Sequence, residues 1–171
     1  SKEKNRTIIY IGKTMKKLRR YIEIYSNVTD ELLGRIEVKI DKDQIKEMVD
    51  DSTMLVVVDV NRPSLTEQPD LLSLVKTIVV LDHHRQSSEI ITNAVLSYVE
   101  TYASSACEMV SEIVQYIRDD IKLKPAEVDA MYAGMVIDTH SFTQQTGVRT
   151  FEAAAFLRRK GADVIRVRKL F

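Results

Sequence analysis

The three histidines of this chain, His83, His84 and His140, all stand beside aspartates that end apolar runs. The runs are Met54-Leu-Val-Val-Val-Asp59, Thr77-Ile-Val-Val-Leu-Asp82 and Ala133-Gly-Met-Val-Ile-Asp138. His83 and His84 follow Asp82 directly, and His140 lies two residues past Asp138. A buried run that stops at a carboxylate reads as an element delivering that carboxylate to one rim of a sheet, where open α/β sheets bind their ligands. Carboxylate and imidazole together suit divalent ions such as Mn²⁺, Mg²⁺ or Fe²⁺. Zinc also accepts such ligands, but its structural sites usually draw on thiolates, and Cys107 is the only cysteine. Asp59, His83 and Asp138 are therefore expected to coordinate one ion from three separate segments. A carboxylate bridging two ions would allow the two-metal arrangement of phosphate-ester hydrolysis. His84 is then expected beside a phosphate oxygen, and Asp82 behind an imidazole, orienting it. His140 reads as a substrate contact or a polar loop residue.

Other groups surround this set. Ser105-Ala-Cys-Glu108 has the form of a capping box, with Ser105 as N-cap and Glu108 reaching back. A helix starting there offers backbone N–H groups to an anion, with the Ser104 and Ser105 hydroxyls beside them; the plainer reading is a good helix start. Arg62, Arg85 and Arg149 flank the three acidic segments. Each guanidinium could clamp a phosphate or serve a surface ion pair, Arg85 being the strongest candidate for contact.

The elements that must position these residues follow from periodicity. Thr7 to Ile11 reads as a strand. Lys13 to Tyr25, with Met15, Leu18, Ile22 and Tyr25 spaced 3, 4 and 3, reads as a helix. A short strand is expected over Ile36 to Ile40 and a short helix over Lys42 to Val49. The valine-rich runs Met54–Val58 and Ile78–Leu81 suit strands covered on both faces, as in parallel sheets, with Ala94–Val99 as a further or edge strand. Behind Ser105 an apolar stripe continues to Ile117. Pro125 suits the first turn of a helix running to Asp138, so that acid is expected to end a helix rather than a strand. Thr150 to Lys160 reads as a helix stopped by Gly161, and a last helix begins near Asp163. Strands alternating with helices give an α/β class with a mainly parallel sheet flanked by helices.

The 171 residues are 44% hydrophobic and 29% charged, ordinary for a globular protein. Lys plus Arg and Asp plus Glu are 25 each, so no global field draws duplex nucleic acid. One cysteine excludes an internal disulfide and fits a reducing compartment. No apolar stretch reaches 18 residues. The chain starts with Ser1 rather than Met, so an excised piece of something longer is expected.

Asp82-His83-His84 after a buried strand resembles the motif that names the DHH phosphoesterases. Asp59 in VVVDVNRP, Ser104-Ser105 in YASSACEM and Asp138-Thr139 in MVIDTHSF match that family's other core motifs in order. The stretches VVVDVNRPSLTE, VVLDHHRQ, NAVLSYVE, ASSACEM and TGVRTFEAAAFLRRKGADVIRVRKLF are most similar to its bacterial cyclic-di-AMP phosphodiesterase branch, the GdpP type. The resemblance is strong from Leu55 to Phe171 and weak over residues 1 to 50. It implies Asp59 as a bridging ligand, His83 and Asp138 completing the protein shell of one Mn²⁺ of two, and His84 near the phosphate. The implied reaction is hydrolysis of a cyclic dinucleotide to linear pApA. The implied parent is anchored in the bacterial membrane, with its catalytic domain in the cytoplasm.

Two features depart from the family pattern. Ser1 to Gly12 holds no His or Asp, so nothing matches the first H-x-x-x-D-x-D motif, and the chain stops before the C-terminal Gly-Gly-His substrate-binding (DHHA1) domain. A smaller departure is His140, where this branch is expected to carry asparagine. Residues 1–171 are accordingly read as a partial DHH domain, expected to hold at most one ion weakly and to turn over little. The rival readings are an oligoribonuclease, exonuclease or polyphosphatase of the same family, and an inert interaction module. In the last case a sheet edge left open by a missing first strand would pair with a second copy as a homodimer.

Overall fold

The computed structural model describes residues 49–51, 53–66, 68–117 and 121–169, and the backbone course of 6–11, 21–26 and 32–37. Residues 1–99 and 100–171 form two compact units.

The first unit is a six-stranded sheet in the order β3-β2-β1-β4-β5-β6. Its strands are β1 (Arg6–Ile11), β2 (Tyr21–Ser26), β3 (Leu32–Glu37), β4 (Met54–Val58), β5 (Thr77–Asp82) and β6 (Leu96–Val99). β1, β4, β5 and β6 run parallel to one another, while β2 and β3 add an antiparallel flank to β1. Burial alternates along the two valine-rich strands. Leu55, Val57, Ile78 and Val80 are almost fully buried, whereas Met54, Val56 and Val79 are half-buried. The buried set packs under α1 (Leu71–Leu74), whose Leu71 and Leu72 join Val60, Val75 and Ile91 in one core. Each such aliphatic side chain contributes about 1.5–3 kcal/mol by leaving water. That core holds the ends of β4 and β5 level, and the registered pair Val58–Leu81 closes the ladder between them.

Several sequence expectations meet the sheet differently or fall outside the described residues. Tyr21 to Tyr25 is not helical but part of β2, while residues 13–20 lie outside the described residues. The segment Tyr-Ile-Glu-Ile-Tyr is rich in β-branched and aromatic residues, and antiparallel pairing on both sides overrides its helix-like spacing. The strand expected at 36–40 lies earlier, over Leu32–Glu37, and 38–40 lie outside the described residues. So do 42–48 of the expected short helix, and Val49 is not helical. The strand read at Thr7–Ile11 is β1, which pairs with β4 over five residues, so β4 is not the open edge that the inert-module reading invoked.

The second unit is helical: α2 (Ala106–Ile117), α3 (Pro125–Asp138), α4 (Val148–Arg159) and α5 (Val164–Arg168). Pro125 opens α3, and the Glu127 carboxylate accepts the Lys124 N–H at 2.8 Å. Gly161 ends α4 with φ +104°, a left-handed turn that glycine adopts without a Cβ penalty. A core of Val128, Met135, Ala153, Phe156 and Leu157 joins α3 to α4. α2 and α3 approach closely at Gly134, where a Cβ would stand 2.4 Å from Cys107 Sγ. No helix among the described residues is long and apolar enough to cross a membrane.

α5 is clasped to α3 by Asp129, which is 7% exposed. Asp129 accepts the Asp163 N–H at 2.8 Å and a two-pronged contact from Arg166, at 2.6 and 3.2 Å. The Arg166 hydrogen bond holds the Asp129 carboxyl below its ordinary value. A carboxyl depressed by folding contributes stability that is present above its unfolded pKa, about 3.9, and lost as pH falls through the lower folded value. The melting-temperature gap between the wild type and Asp129→Asn should therefore be full at pH 6 and close as pH drops below about 4. A gap that persists at pH 2 would contradict the clasp.

Candidate metal and phosphoester site

The candidate site of the first unit lies at the C-terminal rim of the parallel strands, where β4 and β5 end side by side. The last backbone bond between them runs from Asp59 N–H to Leu81 O, at 2.9 Å. Asp59 then turns the chain with φ +69°, a conformation L-residues seldom take and aspartate tolerates better than most. Asp82, fully buried, is the last residue of β5. His83 and His84 follow it into the loop.

Asp59, His83 and His84 form a group in which one potential ligand atom from each lies within 4.8 Å of the others. His83 Nε2 is 3.4 Å from Asp59 Oδ1, and both side chains are nearly buried. Two donor atoms each about 2.1 Å from a shared ion, at tetrahedral angles, stand about that far apart. The donor set, one carboxylate oxygen and imidazole nitrogen, fits a borderline divalent cation.

His84 is held differently. Asp82 Oδ1 accepts the backbone N–H groups of His83 and His84, at 2.9 and 3.3 Å, and sits 2.8 Å from His84 Nδ1. An ionised carboxylate only accepts, so Nδ1 carries the proton and Nε2 becomes the working nitrogen of the imidazole. The His84 side chain is 58% exposed, against 13% for His83. Asp82 Oδ2 is buried and accepts no hydrogen bond among the described residues. The loops are stitched further out. Asn61 Nδ2 donates to His84 O at 3.2 Å, and Glu89 accepts both Ser64 N–H and Ser64 Oγ–H at 2.7 Å, which keeps its carboxyl below the ordinary value.

The remaining residues singled out in the sequence fall as follows. Arg85 is exposed and forms no ion pair with a described residue. Asp138 is the last residue of α3 in the second unit, as the helical stripe predicted. Beyond it His140, Ser141 and Phe142 all take positive φ, and His140 is exposed. Ser104 and Ser105, expected to contact substrate, are buried and turned inward. Ser105 Oγ caps the Glu108 N–H at 3.0 Å. The Glu108 carboxylate reaches one residue past the expected capping box, to Ser104 N–H and Oγ–H, and across to Thr150 Oγ1. Arg149, expected at a phosphate, spends its fork on Glu112, at 2.8 and 2.6 Å. The charge complement lies inside the unit, where it ties α4 to α2.

Sequence reasoning passed over Asn61 and the inter-helix role of Glu108. Both contacts span more than twenty residues, and spacing along the chain carries no sign of them.

Residues 10–135 match the DHH family, N-terminal domain. Over 128 residues the chain is 47% identical to the cyclic-di-AMP phosphodiesterase GdpP of Geobacillus thermodenitrificans (strain NG80-2), covering 75% of this chain and 20% of that protein. Over 159 residues it is 40% identical to the cyclic-di-AMP phosphodiesterase GdpP of Bacillus subtilis (strain 168), covering 93% of this chain and 23% of the relative. The chain thus spans about a fifth of the length of these curated relatives. The crystal structure of an exopolyphosphatase-related protein from Bacteroides fragilis superposes with a TM-score of 0.63 at 18% identity, over 74% of this chain and 37% of that one. That likeness is one of fold, α/β in both. With the family match extending over most of the chain and the Asp82-His83-His84 triplet seated at the end of β5, the chain belongs to the DHH family.

Proposed function

We propose that this chain carries the metal-binding core of a phosphodiesterase that hydrolyses cyclic-di-AMP to linear pApA with manganese. The observation that carries the reading is the group of Asp59, His83 and His84 on the strand rim, with Asp82 behind His84. Relatives named as cyclic-di-AMP phosphodiesterases support the substrate class.

In this reading Asp59 and His83 hold a divalent cation. The ion, when bound, would polarise a phosphoryl oxygen and lower the pKa of the attacking water. Asp82 fixes the His84 tautomer, which leaves His84 Nε2 to exchange a proton with the substrate. A proton on Nε2 would hydrogen-bond a phosphoryl oxygen or pass to the departing ribose oxygen. Arg85, exposed next to His84, would in this reading meet the substrate's negative charge.

The test compares hydrolysis of cyclic-di-AMP, pApA and a short RNA by the full-length gene product with Mn²⁺. Fastest turnover of cyclic-di-AMP is expected. Faster cleavage of RNA would replace this reading with an oligoribonuclease.

A further inference from the structure

The β4–β5 backbone ladder ends at the Asp59 N–H bond to Leu81 O, yet the loops beyond it must keep Asp59 and the two imidazoles within ligand distance of one another. Past that point the two loops are joined by side chains. The inner join is Asn61, only 4% exposed, whose Nδ2–H meets His84 O at 3.2 Å. The outer join, Ser64 to Glu89, is exposed to solvent. The carbonyl that Asn61 holds belongs to the residue whose N–H and ring Nδ1 both lie on Asp82 Oδ1. One residue is thereby pinned on three sides: by its amide and its ring to Asp82, and by its carbonyl to the loop that follows Asp59. Without the Asn61 bond the carbonyl end of that clamp is free, and the His83–His84 segment can pivot away from Asp59.

We propose that Asn61 is a positioning residue which, by holding the His84 carbonyl, sets the gap between Asp59 and the imidazoles into which a divalent cation fits. This rests on the metal reading above. Asn61 acts on the ion through the backbone that His84 shares with the ligand His83, and the supports that orient metal ligands commonly carry about 10–100-fold of affinity.

The experiment uses the full chain as wild type, Asn61→Ala, Asn61→Asp and Glu89→Gln. Mn²⁺ titration by calorimetry is paired with nitrogen-15 NMR of the imidazoles at pH 8.5 without metal, and circular dichroism checks folding. Asn61→Ala is expected to bind Mn²⁺ about 10–100-fold more weakly, and its His84 to lose the single Nδ1–H tautomer of the wild type. Asn61→Asp matches the shape but cannot donate, so it should also weaken binding despite its added negative charge. Glu89→Gln should bind as the wild type does. Unchanged affinity and tautomer in Asn61→Ala would overturn the proposal while leaving the metal reading intact. Tighter binding by Asn61→Asp would overturn it too, since charge and not donation would then govern the position. A wild type that binds no Mn²⁺ would sink the metal reading, whereas loss of the tautomer in Asn61→Ala would still uphold the positioning role. Should Asn61→Ala fail to fold, the isosteric Asn61→Asp carries the same comparison.

Discussion

Asp59→Ala should lose Mn²⁺ binding in a calorimetric titration and lower hydrolysis of cyclic-di-AMP by the full-length gene product by about 10³-fold or more, roughly 4 kcal/mol of transition-state stabilisation. His83→Ala should do the same, because its Nε2 lies 3.4 Å from the Asp59 carboxylate, the spacing of two donors on one ion. His84→Ala should differ in kind. Its Nδ1 faces Asp82, so the substitution should leave most of the Mn²⁺ affinity in place and reduce kcat by about 10²–10⁴-fold, the usual scale for a positioned proton donor. The left-handed backbone at residue 59 adds a test that does not depend on turnover. With φ at +69°, Asp59→Gly should unfold at higher temperature than Asp59→Ala, a gap of about 1 kcal/mol in the reverse of the usual order, although both lose the metal. Equal Mn²⁺ affinity in Asp59→Ala and wild type would end the metal reading.

Much of that site was legible in the sequence because its signals are local. The valine runs of β4 and β5 stop at Asp59 and Asp82, and a strand in a parallel sheet has to stop at the ligand-binding rim. Pro125, Gly161 and Asp163 marked helix ends for reasons of backbone chemistry alone, and each stands where that chemistry put it. What escaped was long-range. Tyr21–Tyr25 carries apolar residues at helical spacing, and only pairing with β1 and β3 makes it a strand. Arg149 has the right chemistry for phosphate, but Glu112 takes it up from a neighbouring helix, whereas Ser104 and Ser105 meet Glu108 locally, four and three residues on, in the capping role the sequence also offered them. Sequence spacing shows which groups a residue could satisfy; packing decides which one it does.

Glu108 makes that competition measurable. The residue is 2% exposed, and its carboxylate Oε2 receives Ser104 N–H at 3.3 Å, Ser104 Oγ–H at 2.5 Å and Thr150 Oγ1–H at 2.6 Å. Thr150 Oγ1 also accepts the Gly147 N–H at 3.0 Å, so the network links the starts of α2 and α4. Two effects oppose one another on truncation. Removing a buried carboxylate relieves its desolvation cost, but it strands two hydroxyls and an amide in a dry interior and leaves a void. Each stranded donor costs about 1–3 kcal/mol, and three together outweigh the relief. Glu108→Ala should therefore lower stability by about 3 kcal/mol in urea unfolding, or roughly 6–12 °C in melting temperature. Glu108→Gln keeps a carbonyl oxygen for both hydroxyls and should cost about 1 kcal/mol. The pair Glu108→Ala with Thr150→Val should be less destabilised than the sum of the single changes by about 1–2 kcal/mol, because once the acceptor is gone the Thr150 hydroxyl is a liability. Strict additivity would mean that the two side chains act independently, and the polar link between α2 and α4 would then rest on Arg149 and Glu112, beside the apolar packing of Cys107 and Val114 on the α4 core.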